Sequence, residues 1–279
     1  MEKREITDLK IIKEKLFEIL VFFDELCKER ELKYSLAFGT AIGAVRHAGF
    51  IPWDDDIDVL MERSDYEKLI LIFEKETFGI FDLKSLHNDK HPFPWLKLVR
   101  KDYLLIENSV DNKYKKSNLF IDIFPIDVSP NSIKKVRRLD RKIIFYDKIR
   151  LRLVGQVSKN PFKTKSVKSF LSWILTKVIR IFFRKKRVLQ KMDKLYTKYS
   201  DNYSNFRTIS FQGVAKYRLP KECFDEFINI SFENKDFLIH KNYDEILRVI
   251  YGDYLELPPK EMQVTNHNFT VYQEIGYND

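Results

Sequence analysis

The sequence predicts an α+β fold in which a mixed sheet with flanking helices is followed by a helix-rich C-terminal half. Short segments with strand-like alternation concentrate in residues 34–124, and helical periodicity dominates from about residue 132 onward. The length of 279 residues suits one large domain, or a catalytic domain with an appended helical part. Hydrophobic residues make up 44% of the chain, which is enough for a sizeable core.

The first half begins with an amphipathic helix over residues 6–31, where apolar side chains recur at three- and four-residue steps. A second, short helix is predicted over 41–47. Ser64 is predicted to cap a third helix that runs to about Glu74, with Glu67 completing a capping box. Alternating segments predict strands near 34–38, 56–61, 79–86, 95–99, 102–107 and 119–124.

The second half is predicted to be mainly helical, with helices over 132–154, 165–199 and 242–251. The net charge of +9 is unevenly spread, because the segment from Lys148 to Gln190 contains no Asp or Glu. A basic block of this kind indicates an anionic partner, which can be membrane lipid, a polyanionic polymer or nucleic acid.

The sequence also favours a reducing compartment. Cys27 and Cys223 lie far apart and cannot form a disulfide framework for a chain of this size. Lys and Glu interrupt the first residues throughout, so the apolar core of a signal peptide is missing. No apolar, uncharged stretch reaches the roughly 18 residues that a membrane span needs. A cytoplasmic protein is therefore expected.

Four carboxylates lie close together, at Asp54, Asp55, Asp56 and Asp58. They repel one another, so a compensating cation is expected. Asp56 and Asp58 share one face of a predicted strand, and hard oxygen ligands favour Mg²⁺ or Mn²⁺. Asp122, on a separate alternating strand, is the candidate third ligand. The alternative, a solvated acidic loop or calcium-binding turn, leaves the alternation of Asp56 and Asp58 with apolar residues unexplained.

A candidate phosphate site precedes these carboxylates. Gly39 and Thr40 follow a predicted strand and open a helix, where backbone can approach a phosphate and the helix N-terminus attracts an anion. Arg46 and His47 lie further along this helix and either face a phosphate or cap the helix C-terminus. The order of these parts predicts a combined phosphate and metal site.

The run from Tyr34 to Asp58 resembles the signature of the LicD family, which includes bacterial phosphocholine transferases. The domain is also similar to that of fukutin-related protein, a ribitol-phosphate transferase. Further matches lie at 121–125, 251–254 and 257–259. The resemblance implies a nucleotidyltransferase-like mixed sheet. We predict a catalytic core, a basic helical insertion and a C-terminal part that completes the domain, at residues 1–130, 131–200 and 201–279.

The resemblance also implies the chemistry. Members transfer a phosphoalcohol, here most simply phosphocholine from CDP-choline, to a sugar hydroxyl of teichoic acid, lipopolysaccharide or a lipid-linked precursor. Asp56, Asp58 and Asp122 are implied as catalytic residues that hold Mg²⁺ or Mn²⁺, with two ions expected. Asp122 can also accept the proton of the acceptor hydroxyl. Asp54 matches a further acidic position, and His267 a histidine after the distal motif.

Several side chains near these motifs are candidate donor contacts. Quaternary ammonium groups favour aromatic faces, so Trp53 or Trp95 is a candidate for binding choline, with core packing as the alternative. Lys97 and Arg100 share a predicted strand pattern. They either neutralise the donor or are solvated surface charges.

Residues 170–183 form an apolar segment that is too short and too charged to span a bilayer. Trp173 and the flanking Lys and Arg residues fit an interfacial helix on anionic lipid, which predicts a peripheral protein on the inner face of the membrane. The alternative is a buried helix with solvated ends.

Other functions are compatible with parts of this pattern. The same scaffold can transfer another CDP-linked phosphoalcohol or carry out nucleotidyl transfer to a sugar phosphate. A basic nucleic-acid or lipid-binding protein is the non-enzymatic alternative. The acidic cluster requires a metal-dependent role, so no specific nucleic acid is expected. An inactive scaffold is disfavoured because Asp56, Asp58 and Asp122 are all present.

Overall fold

The computed structural model describes residues 2–86, 91–107, 114–155, 167–201, 203–265 and 269–275. The helices in these ranges are α1 Leu9–Glu29, α2 Phe38–His47, α3 Arg63–Lys75, α4 Ile133–Leu153, α5 Val167–Phe182, α6 Lys185–Tyr196 and α7 Tyr243–Tyr251. The strands are β1 Glu2–Ile6, β2 Ser35–Leu36, β3 Asp58–Glu62, β4 Phe81–Lys84, β5 Leu96–Glu107, β6 Lys116–Ser129, β7 Phe206–Ile209, β8 Arg218–Pro220, β9 Phe227–Phe232, β10 Lys235–His240 and β11 Phe269–Ile275. The predicted mixed α/β class is confirmed.

The central sheet is mixed and runs in the order β1-β11-β5-β6-β3-β2. Strands β3 and β6 are parallel, whereas β6 is antiparallel to β5 on its other side. Strand β4 pairs with β5, and β7 joins β6 to β8. The hairpin of β9 and β10 forms a separate two-stranded sheet. The long strand β6 is therefore the element around which the sheet is organised.

Hydrophobic cores cover both faces of this sheet. On one face, helix α1 buries Leu16, Ile19 and Phe23 in a core that also contains Val59 and Met61 of β3. On the other face, Leu60 of β3 packs in a second core with Phe38, Phe124, Ile126 and Ile209. Successive residues of a strand point to opposite faces. This explains the alternation that the sequence shows around Asp58, which lies on the same face as Leu60.

Helices α4, α5 and α6 pack around a third hydrophobic core, which includes Val136, Leu139, Val188 and Met192. The sequence predicted one helix over 165–199. The structure instead ends α5 at Phe182, and Arg184 takes an extended conformation before α6 begins. Within the described ranges, no helix is both long and apolar enough to span a membrane.

The second half is less helical than expected, because residues 206–275 contribute β7 to β11. Strand β11 is held by β5 and β1, which lie far from it in sequence, so local patterning signals it weakly. The predicted strands at 95–99 and 102–107 form a single strand, β5, whose register against β6 shifts between Arg100 and Leu104.

Two predicted element boundaries were also wrong, the end of the strand before α2 and the start of α3. The strand expected at 34–38 is limited to Ser35–Leu36, because Phe38 has a φ of 47° and begins α2. Helix α3 begins at Arg63 and follows Glu62, which makes no side-chain capping bond. Ser64 therefore lies in the first turn of the helix, and the predicted capping box does not form.

The buried His240 side chain is expected to make the free energy of unfolding depend on pH in the acid range. It is buried against Phe224 and Phe227, and its ring nitrogens have no hydrogen-bond partner among the described residues. Burial lowers the pKa of His240 from 6.5 to about 4. The neutral form is favoured in the folded state, so stability is full above pH 6.5 and is lost as the pH falls toward 4. By linkage, we expect the free energy of unfolding to fall by about 2 kcal/mol at pH 5 through this group.

His240→Phe should remove that contribution, as measured by urea unfolding at pH 7.5 and pH 5. His91 is the matched control, since burial lowers its pKa to about 3 and gives an effect of the same sign. His91→Phe should remove its own contribution and leave that of His240. An unchanged pH dependence in His240→Phe would contradict the assignment.

Candidate active site

Three polar side chains form a row across adjacent strands of the central sheet. In the parallel pair, Asp58 of β3 lies opposite Asp122 of β6. In the antiparallel pair, Lys97 of β5 lies opposite the same Asp122. Residues paired across neighbouring strands point to the same face. The sheet register therefore brings together two of the predicted catalytic carboxylates and the predicted cationic residue.

Asp122 is held by two neighbours. The indole Nε1 of Trp95 donates to its Oδ1 at 2.8 Å, and the Lys97 Nζ lies 3.0 Å from Oδ1. Lys97 is only 4% exposed, and its ammonium also lies 3.1 Å from the centroid of the Phe120 ring and 4.5 Å from that of Phe93. Lys97 was predicted to neutralise a donor. Its nearest anionic partner in the structure is Asp122.

The carboxylates act on one another strongly. Burial raises the pKa of Asp58 well above its usual range, and the charges of Asp56, Asp122 and Asp54 raise it further. The charge of Lys97 opposes this increase in the pKa. Several carboxylates lie close together here, so the site favours binding of a cation.

The segment before β3 adds a compact acidic group. One oxygen from each of Asp54, Asp55 and Asp56 lies within 4.8 Å of the others. Asp56 was predicted to open the strand, but the strand begins at Asp58 and Asp56 lies in the preceding loop. Asp55 is buried, although no sequence pattern singled it out from its neighbours.

Lys13 of α1 holds this loop. Its Nζ donates to the carbonyls of Ile51 and Pro52, each at 2.9 Å. Burial lowers the pKa of Lys13, while Asp54 and Asp55 are among the carboxylates that oppose the shift. This contact joins residues 38 or more positions apart, so no local pattern indicated it.

These residues fit a divalent metal ion. The donors are carboxylate oxygens, which hard cations such as Mg²⁺ prefer. Burial and the charges of Asp56, Asp122 and Asp54 raise the pKa of Asp58, and a bound cation would oppose this increase. Among the described residues, the group with three ligand atoms at mutual metal-binding distance is Asp54, Asp55 and Asp56. The set predicted from sequence, Asp56, Asp58 and Asp122, overlaps it at Asp56.

Gly39 and Thr40 support the carboxylates. A Cβ on Gly39 would lie 2.6 Å from Oδ2 of Asp54, so only glycine allows this carboxylate to approach the first turn of α2. The hydroxyl of Thr40 accepts a hydrogen bond from the Asp58 amide at 2.9 Å. The helix start that was predicted to bind phosphate is thus faced by Asp54, and Thr40 fixes the beginning of β3.

Arg46 and His47 lie at the C-terminal end of α2. The Arg46 guanidinium donates to the carbonyls of Tyr254 at 2.8 Å and Glu256 at 3.3 Å. Arg46 therefore connects the family-like run from Tyr34 to Asp58 with the second family-like segment, residues 251–259. Burial and the charge of Arg46 lower the pKa of His47. A direct contact of either residue with phosphate stays a prediction.

The tryptophans occupy different environments. Trp53 is partly buried against the main core. Trp95 packs against Phe93, Phe124 and Phe211, with ring centroids 4.9 to 5.1 Å apart, while donating to Asp122. The aromatic group that adjoins the carboxylates thus includes Trp95. Arg100 lies elsewhere on β5 and pairs with Asp102 and Glu18.

Tyr251, which is 48% exposed at the end of α7, belongs to a segment that the sequence analysis matched to a motif without giving Tyr251 a role. Burial raises its pKa, and Asp58 is the next largest cause, followed by Tyr217, Asp54 and Asp56. The end of α7 therefore lies beside the acidic cluster. The match of residues 251–254 to the family was the sequence feature that could have indicated this position. His267 lies outside the described residues.

A cavity of about 400 Å³ adjoins the row of polar side chains. Its lining includes three lysines, three aromatic residues and one carboxylate, namely Lys84, Lys97, Lys116, Phe93, Tyr114, Phe120 and Glu107. Positive charge and aromatic faces together suit a ligand that bears both phosphate and a ring or a quaternary ammonium group.

A mixed sheet with carboxylates on two parallel neighbouring strands lies beside a helix whose first turn contains Gly39 and Thr40. This is the arrangement expected of a transferase with a nucleotidyltransferase-type domain. Residues 31–169 match the family described as LicD/FKTN/FKRP, nucleotidyltransferase domain. The chain is 34% identical over 251 residues to the lipopolysaccharide cholinephosphotransferase LicD of Haemophilus influenzae, covering 89% of this chain and 92% of that protein. The chain belongs to the LicD family, which confirms the resemblance.

Two further relatives match shorter segments of the chain. An uncharacterised protein of Rickettsia typhi is 40% identical over 153 residues, which cover 47% of this chain and 48% of that protein. The ribitol 5-phosphate transferase FKRP of Mus musculus is 28% identical over 94 residues, which cover 34% of this chain and 17% of that protein.

Proposed function

We propose that this enzyme transfers phosphocholine from CDP-choline to a sugar hydroxyl of a cell-surface glycan, with lipopolysaccharide as the first acceptor to test. The observation that carries the proposal is the row of Asp58, Asp122 and Lys97 beside the carboxylates of residues 54–56. The similarity to a lipopolysaccharide cholinephosphotransferase over most of both chains supports the choice of donor and acceptor.

Asp56, Asp58 and Asp122 would hold Mg²⁺ or Mn²⁺, with Asp54 and Asp55 close by. A bound divalent cation supplies Lewis acidity and charge neutralisation at phosphoryl oxygens. The donor set supports this assignment, because the partly buried Asp58 has a pKa that is raised by burial and by the charges of Asp56, Asp122 and Asp54. The proposal assigns two such ions to these carboxylates.

The chain's own residues position the reactants. The acceptor oxygen attacks the β-phosphorus of the donor, the bond from that phosphorus to the bridging oxygen breaks, and CMP leaves. Asp122 takes the proton of the acceptor hydroxyl. Trp95 and Lys97 fix the orientation of Asp122 and thereby hold the base in place. Positioning and charge complementarity supply most of the rate enhancement in phosphoryl transfer.

The cavity beside Lys97 is the proposed donor site. Lys116, together with Lys84, which also pairs with Asp82, offers positive charge to the diphosphate. Phe93 and Phe120 offer the parts of their rings that Lys97 does not cover. The quaternary ammonium of choline binds favourably to such faces, with a contribution of about 0.5–2 kcal/mol. Trp53 and Trp95 are the further candidates for this contact.

A donor screen tests the proposal. Purified enzyme is mixed with Mg²⁺, glycan that lacks phosphocholine, and one of CDP-choline, CDP-ribitol, CDP-glycerol or CTP, and nucleotide products are separated by chromatography. We expect CMP release to be at least tenfold faster with CDP-choline than with the other CDP-alcohols. CMP release that is fastest with another CDP-alcohol would replace choline in the proposal. Pyrophosphate release from CTP would indicate nucleotidyl transfer.

A further inference from the structure

Helix α5 presents an apolar face that the described part of the chain leaves exposed. Val167, Ile181 and Phe182 are 76–78% exposed. Further exposed apolar side chains on the helix are Phe170, Leu171, Ile174, Leu175 and Val178. Their three- and four-residue spacing places them along one side of the helix. Of the 16 residues of α5, only Thr176 is fully buried.

The opposite face of α5 fixes the helix to the protein. Arg152 of α4 donates to the hydroxyl of Ser172 at 3.0 Å and to that of Thr176 at 3.3 Å. Ile179 and Phe183 pack against the core formed by α4 and α6. The helix is therefore attached along one side, and its exposed apolar side is directed away from α4.

Positive charge borders this apolar face. At 100° per residue, Lys177 lies along one edge of the face and Lys168 lies along the other. Arg180 lies on the attached side, where its guanidinium donates to the Arg152 carbonyl at 3.5 Å. Arg184, Lys186 and Arg187 follow the helix, and the sequence contains no Asp or Glu between Lys148 and Gln190. The surface combines a hydrophobic strip with cationic edges.

We propose that α5 docks lengthwise in the headgroup region of an anionic lipid bilayer. A bilayer supplies both the apolar phase for the exposed strip and the negative charge for its edges. A second copy of the chain suits the surface poorly, because two basic edges would face each other. The buried-helix alternative from the sequence analysis does not describe α5, whose apolar side chains are exposed.

The docked helix also holds the cavity beside Lys97 close to the bilayer. Lys185, at the start of α6, donates to the His91 carbonyl at 2.7 Å and lies 5.3 Å from the centroid of the Tyr114 ring. Both His91 and Tyr114 line that cavity. An acceptor anchored in lipid would then reach the cavity from the membrane surface. This consequence rests on the proposed function, whereas docking itself does not.

Vesicle sedimentation without donor or acceptor tests docking. The full chain is mixed with vesicles of phosphatidylglycerol and phosphatidylethanolamine, or with phosphatidylcholine vesicles. We expect binding to the anionic vesicles that is at least tenfold stronger than to the neutral ones and weakens as salt is added. Ile181→Ser/Phe182→Ser and Lys177→Glu/Lys186→Glu should each lower the partition coefficient at least tenfold.

Matched controls change the same residue types on other exposed surfaces. Leu71→Ser/Val264→Ser and Lys10→Glu/Lys75→Glu should bind vesicles as the unchanged chain does. Transfer to a soluble, short glycan should stay within threefold in the α5 variants, which separates failure of docking from failure of the proposed function. Absence of vesicle binding at low salt would overturn the proposal. So would equal binding of the Ile181→Ser/Phe182→Ser variant, or an α5-dependent dimer in sedimentation velocity.

Discussion

Asp58→Asn is expected to lower phosphoalcohol transfer at least a thousandfold, which corresponds to about 4 kcal/mol of lost transition-state stabilisation. Asp58 lies beside Asp122 in the sheet and is surrounded by the charges of Asp54 and Asp56. The amide keeps the shape of the side chain and removes its charge. Asp56→Asn should have an effect of similar size, measured as CMP release under saturating donor.

Stability provides an independent measurement on the same variant. Without divalent metal, Asp58→Asn should melt at a higher temperature than the unchanged chain, because removing one partly buried charge relieves repulsion among the carboxylates. Asp102→Asn is the matched control, since Asp102 is also a sheet carboxylate and pairs with Arg100. It should leave transfer unchanged. Activity of Asp58→Asn within tenfold of the unchanged chain would remove Asp58 from the metal site.

The second large effect is expected from Asp122→Asn. Transfer should fall at least a hundredfold, because the proposed base is lost, while the donor dissociation constant changes less than threefold. Calorimetric titration with CDP-choline measures the second quantity. Loss of donor binding as the primary effect would show that Asp122 acts on the donor and not on the acceptor hydroxyl.

Lys97 allows a control for misfolding. Asp122→Asn leaves the buried ammonium of Lys97 without its carboxylate, and breaking a buried pair costs about 3–5 kcal/mol. The double variant Lys97→Met/Asp122→Asn removes both charges and should regain most of that stability. Its transfer activity should stay low. A double variant that regained activity along with stability would place Asp122 in a structural role.

Local patterns predicted much of the first half of the fold. The three- and four-residue spacing of Leu16, Ile19 and Phe23 predicted α1, and alternation predicted β3 and β6. The edge strand β1 and its neighbour β11 escaped detection because each depends on a partner from the distant end of the chain. Helix α3 begins one residue before the predicted N-cap Ser64, since Glu62 turns the chain without a side-chain cap.

The sequence predicted which residues the candidate site contains, but it did not predict most of the contacts between them. Spacing selected Asp56, Asp58 and Asp122, and the sheet places Asp58 opposite Asp122. The contacts of Lys97 and Trp95 with Asp122 depend on the register between β5 and β6, which sequence spacing does not specify. The position of Tyr251 beside the carboxylates depends on how α7 packs.

The measurement that tests the central claim most directly follows each phosphorus atom of the donor. CDP-choline labelled with ³²P at the phosphorus next to choline is incubated with the enzyme, Mg²⁺ and a glycan that lacks phosphocholine. The account predicts that the label moves into the glycan while unlabelled CMP is released in equal amount, and that chelation of Mg²⁺ stops both. Label that remains with the nucleotide product, or transfer of the cytidine-linked phosphorus to the glycan, would contradict phosphoalcohol transfer.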